Sequence, residues 1–444
     1  MRTNPTVVAA GLIAGLSPAG AVAEGYYTPA PLLGEHANSL GGAFTAVADD
    51  PTAAYYNPAG LAALSTSIFG ANLDLYELSF YDRKNALQVP GVEADVDTHL
   101  LSAVPSSFGV AWALRGGQGL AVSVLVPETE HLSGGATAEG PTGVQGALEL
   151  ERTDRTWLVG PSYALRLGDT LSVGASLYYE LRLRHTTTRQ RDGQAAPSQG
   201  ATQLSRLSLD LTDERASHGA LTGVLGVLAT LGRVRLGLSV YPPGLPLHDH
   251  CALYHARGLG AGAEAPSGLY LRQTFDLGFT VRSPLRATLG AALTLGDLLL
   301  SADLRGQAGG DAFDTVSPPA DSGLAPRRID PKPMLNGSLG AEYHVTDTYT
   351  VRAGAYTRLA GITAPDGRDP AAPEVEDQVG AVLGVTRRAG ATTLTLSAGY
   401  TLGFGAAPGV RVETGPDGRP REVGVALDTR TQAIRISTGG SYAF

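Results

Sequence analysis

Six very short turns, most of them carrying glycine, alternate with seven long polar connections along this chain, and the last residue is Phe444. That rhythm restricts the fold severely. A closed antiparallel barrel in a bacterial outer membrane has brief turns on one side and long loops on the other. The tight turns are Arg115-Gly116-Gly117-Gln118-Gly119, Leu167-Gly168-Asp169, Leu231-Gly232-Arg233, Leu295-Gly296-Asp297, Thr346-Asp347-Thr348 and Arg388-Ala389-Gly390. Long connections are expected near 82–97, 128–145, 189–213, 242–268, 306–331, 360–374 and 405–420. Thirteen connections join fourteen strands, and an even count returns both chain ends to one side.

The intervening segments alternate as wall strands must, one face toward lipid and one toward the lumen. Val234, Leu236, Leu238 and Val240 share a face opposite Arg233, Arg235, Gly237 and Ser239. Leu394, Leu396, Ala398, Tyr400, Leu402 and Phe404 form a second row, and Leu120, Val122, Val124 and Val126 a third. Ile434, Ile436, Tyr442 and Phe444 share parity near the end. The expected strands are 65–81, 98–114, 119–128, 146–166, 170–188, 214–231 and 233–242 in the first half. The second half holds 269–294, 298–306, 332–345, 348–359, 375–387, 391–405 and 421–444. The eighth strand contains Pro284, which removes a ladder donor and allows a split into two strands. In the fourth, Glu149, Glu151 and Arg155 share parity with Val159, so its upper half leaves the membrane or shifts at a bulge. A soluble sandwich is the competing fold, but its strands run ~5–6 residues, shorter than many here.

Composition agrees. Glycine accounts for 58 of 444 residues and charged residues for 17%, which suits tight turns and closely packed walls. A formal charge of −9 argues against a nucleic-acid partner. With 9 Phe and 2 Trp, an aromatic girdle would rest mainly on the 17 Tyr. Cys251 is the only cysteine, so no disulfide forms within the chain. No segment after the leader reaches the ~20 apolar residues of a spanning helix. Residues 1–23 read as a secretory signal peptide: Arg2, an apolar core from Val7 to Leu16, Pro18, and Ala21-Val22-Ala23 before a start at Glu24.

Residues 24–64 do not alternate. Small residues from Leu40 to Asp50 allow a short helix stopped by Asp49-Asp50-Pro51, and Asn57-Pro58-Ala59-Gly60 is a turn by composition. About forty residues cannot form a core alone, so the physical expectation is a plug inside the barrel mouth, with residues 65–444 as the barrel.

Three stretches of that segment resemble the hatch of FadL-type outer-membrane transporters: Asn38-Ser39-Leu40-Gly41-Gly42-Ala43, Ala46-Val47-Ala48-Asp49-Asp50-Pro51 and Asn57-Pro58-Ala59-Gly60-Leu61-Ala62. The likeness continues in Val104-Pro105-Ser106-Ser107-Phe108, Val124-Leu125-Val126-Pro127, Leu339-Gly340-Ala341-Glu342-Tyr343 and Val351-Arg352-Ala353-Gly354. It implies a fourteen-stranded all-β transmembrane barrel with its N-terminal segment inside. It also implies passive transport of long-chain fatty acids or other hydrophobic molecules, which enter from the loops and leave sideways at a kink in the third strand. Pro127 then marks the lateral gap, although the strand could simply end there. Asn57, Pro58, Ala59 and Gly60 are either a gate or a fixed turn of the plug.

Glu342 and Arg352 flank the Thr346–Thr348 turn at positions able to pair across strands, and Asp303 has lumen parity. The three are expected to anchor the plug at the turn side. Glu180, Arg182 and Arg184 share a face near the outer end of the fifth strand. Arg182 and Arg184 could attract a carboxylate head group, and a solvated rim is the plainer reading. His248, Asp249, His250, Cys251 and His255 are metal-binding types, but at no spacing that specifies a site, and no metal or other cofactor is expected. The expected partners are outer-membrane lipid and a hydrophobic small molecule, with the chain acting as a monomer. A general porin or structural barrel would not need the hatch-like segment, and no Ser–His pattern points to a barrel hydrolase.

Overall fold

The computed structural model describes residues 27, 32–89, 92–139, 144–198, 201–261, 269–322, 324, 326–364, 374–414 and 420–444. The expected signal peptide lies outside these residues. The wall opens with β1 (Ile68–Val89), β2 (Val92–Leu114), β3 (Gln118–Glu139), β4 (Val144–Leu167), β5 (Leu171–Ser198) and β6 (Ala201–Leu231). β7 (Val234–Tyr241), β8 (Leu245–Ala261), β9 (Leu269–Leu277), β10 (Arg286–Leu295) and β11 (Leu298–Gln307) follow. β12 (Phe313–Val316) and β13 (Arg327–Ile329) form a small separate hairpin. β14 (Met334–His344), β15 (Tyr349–Arg358), β16 (Val375–Ala389), β17 (Thr392–Thr414) and β18 (Pro420–Ala443) complete the chain.

β1 pairs with β18 and each neighbour pairs in turn, so the sheet closes into a fourteen-stranded antiparallel barrel. Closure leaves no free edge in lipid. The tight turns stand where the glycines place them: Gly116, Gly117, Gly168, Gly232, Gly296 and Gly390 all have φ between 61° and 77°, the left-handed region that favours glycine. The expected outward rows face outward, with Leu236, Leu394, Leu396 and Phe404 among the exposed large apolar residues. On β5 this exposed row runs from Leu171 through Leu177 and Tyr179 to Leu183. Some 12 residues at ~3.3 Å, tilted by ~40°, give an apolar band ~30 Å tall.

Five of the expected long connections proved to be largely wall strand, and a sixth, near 306–331, holds the small β12–β13 hairpin. The segments near 82–97, 128–145, 189–213, 242–268 and 405–420 are largely the upper parts of β1–β6, β8 and β17. β6 reaches 31 residues and β5 reaches 28, against 10 for β11. Above the apolar band water contacts the outer face, so alternation is no longer demanded and a polar strand looks like loop. This also explains β4, whose ladder with β3 runs up past Arg155, Glu151 and Glu149 into that zone. The expected eighth strand is interrupted, as Pro284 allowed. Its two pieces, β9 and β10, occupy one wall position, as do β7 and β8, which both pair with β6, so sixteen wall strands fill fourteen positions. The expected helix over 40–50 is absent. Gly41 and Gly42 take φ of 65° and 83°, and short helices lie instead at α1 (Glu35–Ser39) and α2 (Ala53–Tyr56), before a 3-10 helix at Pro58–Ala63.

Candidate functional site

Residues 32–62 are almost wholly buried, held within the turn-side half of the barrel. Docking is backbone against wall. Lumen-facing Gly119, Gly174, Gly237, Gly340 and Gly354 lie so close that a Cβ on any of them would meet backbone of the inner segment within 3 Å. Polar wall side chains satisfy that backbone. Ser176 donates to the Ala54 carbonyl at 2.6 Å, Ser239 to Tyr56 at 2.6 Å and Arg235 to Val47 at 2.6 Å. A buried carbonyl needs such a partner, because leaving it bare costs ~1–3 kcal/mol.

The four residues Asn57, Pro58, Ala59 and Gly60 form a capped helix start rather than an open turn. The Asn57 side chain accepts from the Ala59 N–H at 3.2 Å and donates to the Thr45 carbonyl at 2.8 Å and the Val227 carbonyl at 3.0 Å. It therefore ties two parts of the inner segment to β6. Pro58 sits at the first helical position, where its missing N–H is harmless.

Of the three expected charged residues, Asp303 and Glu342 bond this segment directly, and Arg352 is linked to it through Glu342. Asp303 accepts the backbone N–H groups of Phe44 at 3.1 Å and Thr45 at 3.0 Å. Glu342 and Arg352 are direct cross-strand partners, 2.5 Å apart. The sequence reading missed His36, whose Nε2 lies 2.7 Å from Glu342 and whose Nδ1 lies 3.0 Å from Asp49. Burial and the Arg352 charge push the His36 ring down, but the Asp49 and Glu342 carboxylates outweigh them and raise it to about 9. A polar cavity of about 360 Å³ adjoins this cluster, lined by His36, Asp49, Asn72, Glu342 and Arg352 among others.

On the outer side of the inner segment, Leu125, Leu158, Tyr178, Val224 and Tyr241 of the wall join Tyr55 and Tyr56 in one buried apolar cluster. Tyr241 donates to the Tyr55 carbonyl at 2.9 Å. Directly above is a buried ionic layer. Arg182 and Arg184 are no solvated rim: both are almost completely buried. Arg182 makes a two-pronged pair with Asp154 (3.0 and 2.6 Å), and Arg184 pairs with Glu214 at 2.9 Å. Arg327, from β13, reaches into the lumen to the same Glu214 at 2.8 Å. Asp154 and Glu214 carry lumen parity that the sequence offered, but only the fold brings β4, β6 and β13 together.

Beside the apolar cluster the wall is split. Among the described residues the β2–β3 ladder runs from Leu114–Gln118 to Ser107–Leu125 and no further. On its other edge β3 shifts register against β4 between Leu125 and Glu128. Pro127 lies within that bulge, and β3 continues past it to Glu139, so the strand does not end there. The histidines of the 248–255 stretch are dispersed. His248 stacks on Tyr179, His250 pairs with Asp276 and His255 with Asp210, while Cys251 is buried.

This architecture has solved counterparts. A Pseudomonas aeruginosa FadL homologue superposes with a TM-score of 0.62 at 16% identity, over 96% of this chain and all of that one. The chain has the FadL-type barrel fold. The toluene transporter TodX of P. putida gives a TM-score of 0.57 at 16% identity, covering 93% of this chain and 99% of that one. The CymD monoaromatic hydrocarbon channel gives 0.56 at 13% identity, covering 95% and 99%. No protein-family model and no curated protein matches the sequence.

Proposed function

We propose that this FadL-type chain is a passive outer-membrane channel for hydrophobic small molecules, long-chain fatty acids or aromatic hydrocarbons, released sideways through the barrel wall. One observation carries the reading. An apolar cluster lies between a docked inner segment and a buried ionic layer, and among the described residues the β2–β3 ladder beside it stops at Leu125. The docked segment bounds the cluster on the turn side, whereas the interrupted ladder opens toward lipid. Each CH₂ that a chain buries there is worth ~0.8 kcal/mol, enough to hold a ligand without a cofactor or an energy source. The neighbours described as hydrocarbon channels agree with this substrate class. In this scheme the inner segment is the plug and Asn57 to Gly60 its hinge. Asp303, Glu342 and Arg352 are its anchors, and one copy suffices. Arg182 and Arg184, already paired with Asp154 and Glu214, form the ionic layer above the cluster and are not the grip for a ligand head group.

Pro127→Ala tests the exit. Alanine restores an N–H donor that can extend the ladder toward β2. Uptake of labelled toluene by cells expressing the variant is expected to fall several-fold relative to the parent chain, and uptake at the parental rate removes Pro127 from the mechanism.

A further inference from the structure

The wall has a second interruption, on the far side of the β4–β6 panel. The β7–β10 ladder ends at Tyr241–Arg286, and the β8–β9 ladder resumes only at Cys251–Leu277. Between them Pro242-Pro243-Gly244 breaks one wall strand and 278–285 breaks the next. Within this interval, Leu245 through His250 are exposed on both faces of β8, as a strand beside a gap must be. Leu245 and Leu247 are 62% and 52% exposed.

The missing stretch of wall has turned inward. Thr280 donates its N–H to the Thr315 carbonyl of the inner β12 hairpin at 2.9 Å. Phe279 and Val281 are buried with Ala216, Cys251, Leu253 and Val316 in an apolar cluster of their own. The Phe279 ring lies 4.3 Å beneath the Arg184 guanidinium, so it also abuts the ionic layer. Gly219 pairs with His248 and with Leu181, which sets this gap within the outer edge of the apolar band. Pro127 lies at a closely matching ladder register, since Leu125 and Glu128 pair with Leu158 and Thr156, and Leu158 with Glu180.

We propose that this gap is a second lateral window for the same apolar solutes, with Gly278–Leu285 as its leaf and Phe279 as the stopper. The proposal rests on the uptake reading above and adds a route that does not pass Pro127. Its hinge is the turn-side corner, where the Gly244 N–H donates to the Ser283 hydroxyl. At this corner the Leu285 carbonyl also accepts from the Ala308 N–H at 2.9 Å, and inside the leaf is held by the Thr280–Thr315 bond and by ring contacts. Among the described residues no ladder crosses the gap, so the leaf can swing without breaking one.

The corner supplies the test. A Cβ on Gly244 would lie 3.0 Å from the Ser283 Oγ, the atom that a cysteine sulfur replaces. Gly244→Cys with Ser283→Cys therefore meets disulfide geometry, with Cβ atoms ~3.5–4.5 Å apart. Cys251→Ala removes the native thiol. The oxidised triple variant is expected to take up labelled toluene at least threefold more slowly than the same variant under reductant, and Phe279→Ala to take it up faster than the parent. Equal uptake by the oxidised and reduced forms, in a variant that transports when reduced, overturns the window and leaves the uptake reading intact. A parent chain that takes up no more toluene than cells lacking it overturns both.

Discussion

Gly354→Val is expected to convert a closed barrel into an ion-leaking one. A Cβ at this position would lie 2.1 Å from the Gly41 nitrogen and 2.3 Å from the Leu40 carbonyl carbon. Both are backbone atoms, so no rotamer change relieves the clash. Overpacking that side chains can absorb costs ~1–3 kcal/mol, and here the inner segment itself must move. Gly354 faces the lumen from β15, whose own ladders to β14 and β16 are continuous around it. The barrel therefore folds while the segment is lifted from the wall. Gly337→Val is the control, because nothing lies within 4 Å of a Cβ there. In planar bilayers the Gly354 variant should conduct ions many-fold better than the parent, and the Gly337 variant should not. A silent Gly354→Val channel would show that the glycine contacts do not hold the bore shut.

Glu342→Gln should loosen the same segment by removing charge. The Glu342 side chain is only 9% exposed and holds both Arg352 and His36. Losing the carboxylate of a buried pair strands its partners, at about 3 kcal/mol. pH acts on the same anchor. The His36 ring is raised to about 9, above its ordinary value near 6.5, so its contribution is complete below pH ~6.5 and is lost as pH rises through ~9. Parent conductance should thus stay low at pH 6 and rise above pH 9. In Glu342→Gln the baseline is higher and the rise begins at lower pH, because one of the two acceptors that hold the proton is gone. Identical conductance–pH curves for parent and variant would detach Glu342 from closure.

How much was legible follows from which solvent each residue meets. Lipid forces alternation, so Leu120 to Val126 and Leu394 to Phe404 announce their outward faces, and turns such as Leu295-Gly296-Asp297 announce themselves through φ > 0. The Glu342–Arg352 pair was readable because a short turn fixes the register across it. The upper halves of β5 and β6 were not, since water accepts any side chain on an outer face. Arg182 and Arg184 were legible as one face of a strand, but shared parity says nothing about what that face meets. Their partners Asp154 and Glu214 come from other strands, and Arg327 comes from a loop hairpin. The helix expected over 40–50 failed at Gly41 and Gly42, both at positive φ, and Gly41 lies with its backbone against Gly354 and Ala355 of β15.

If the inner segment closes the bore, an apolar solute must leave through the wall. Single-channel conductance of the chain with residues 32–64 deleted, compared with the intact chain, tests it most directly. The intact chain should be nearly silent, and the deletion should open a large, steady, weakly selective pore. Equal conductance from a folded deletion variant would contradict that closure.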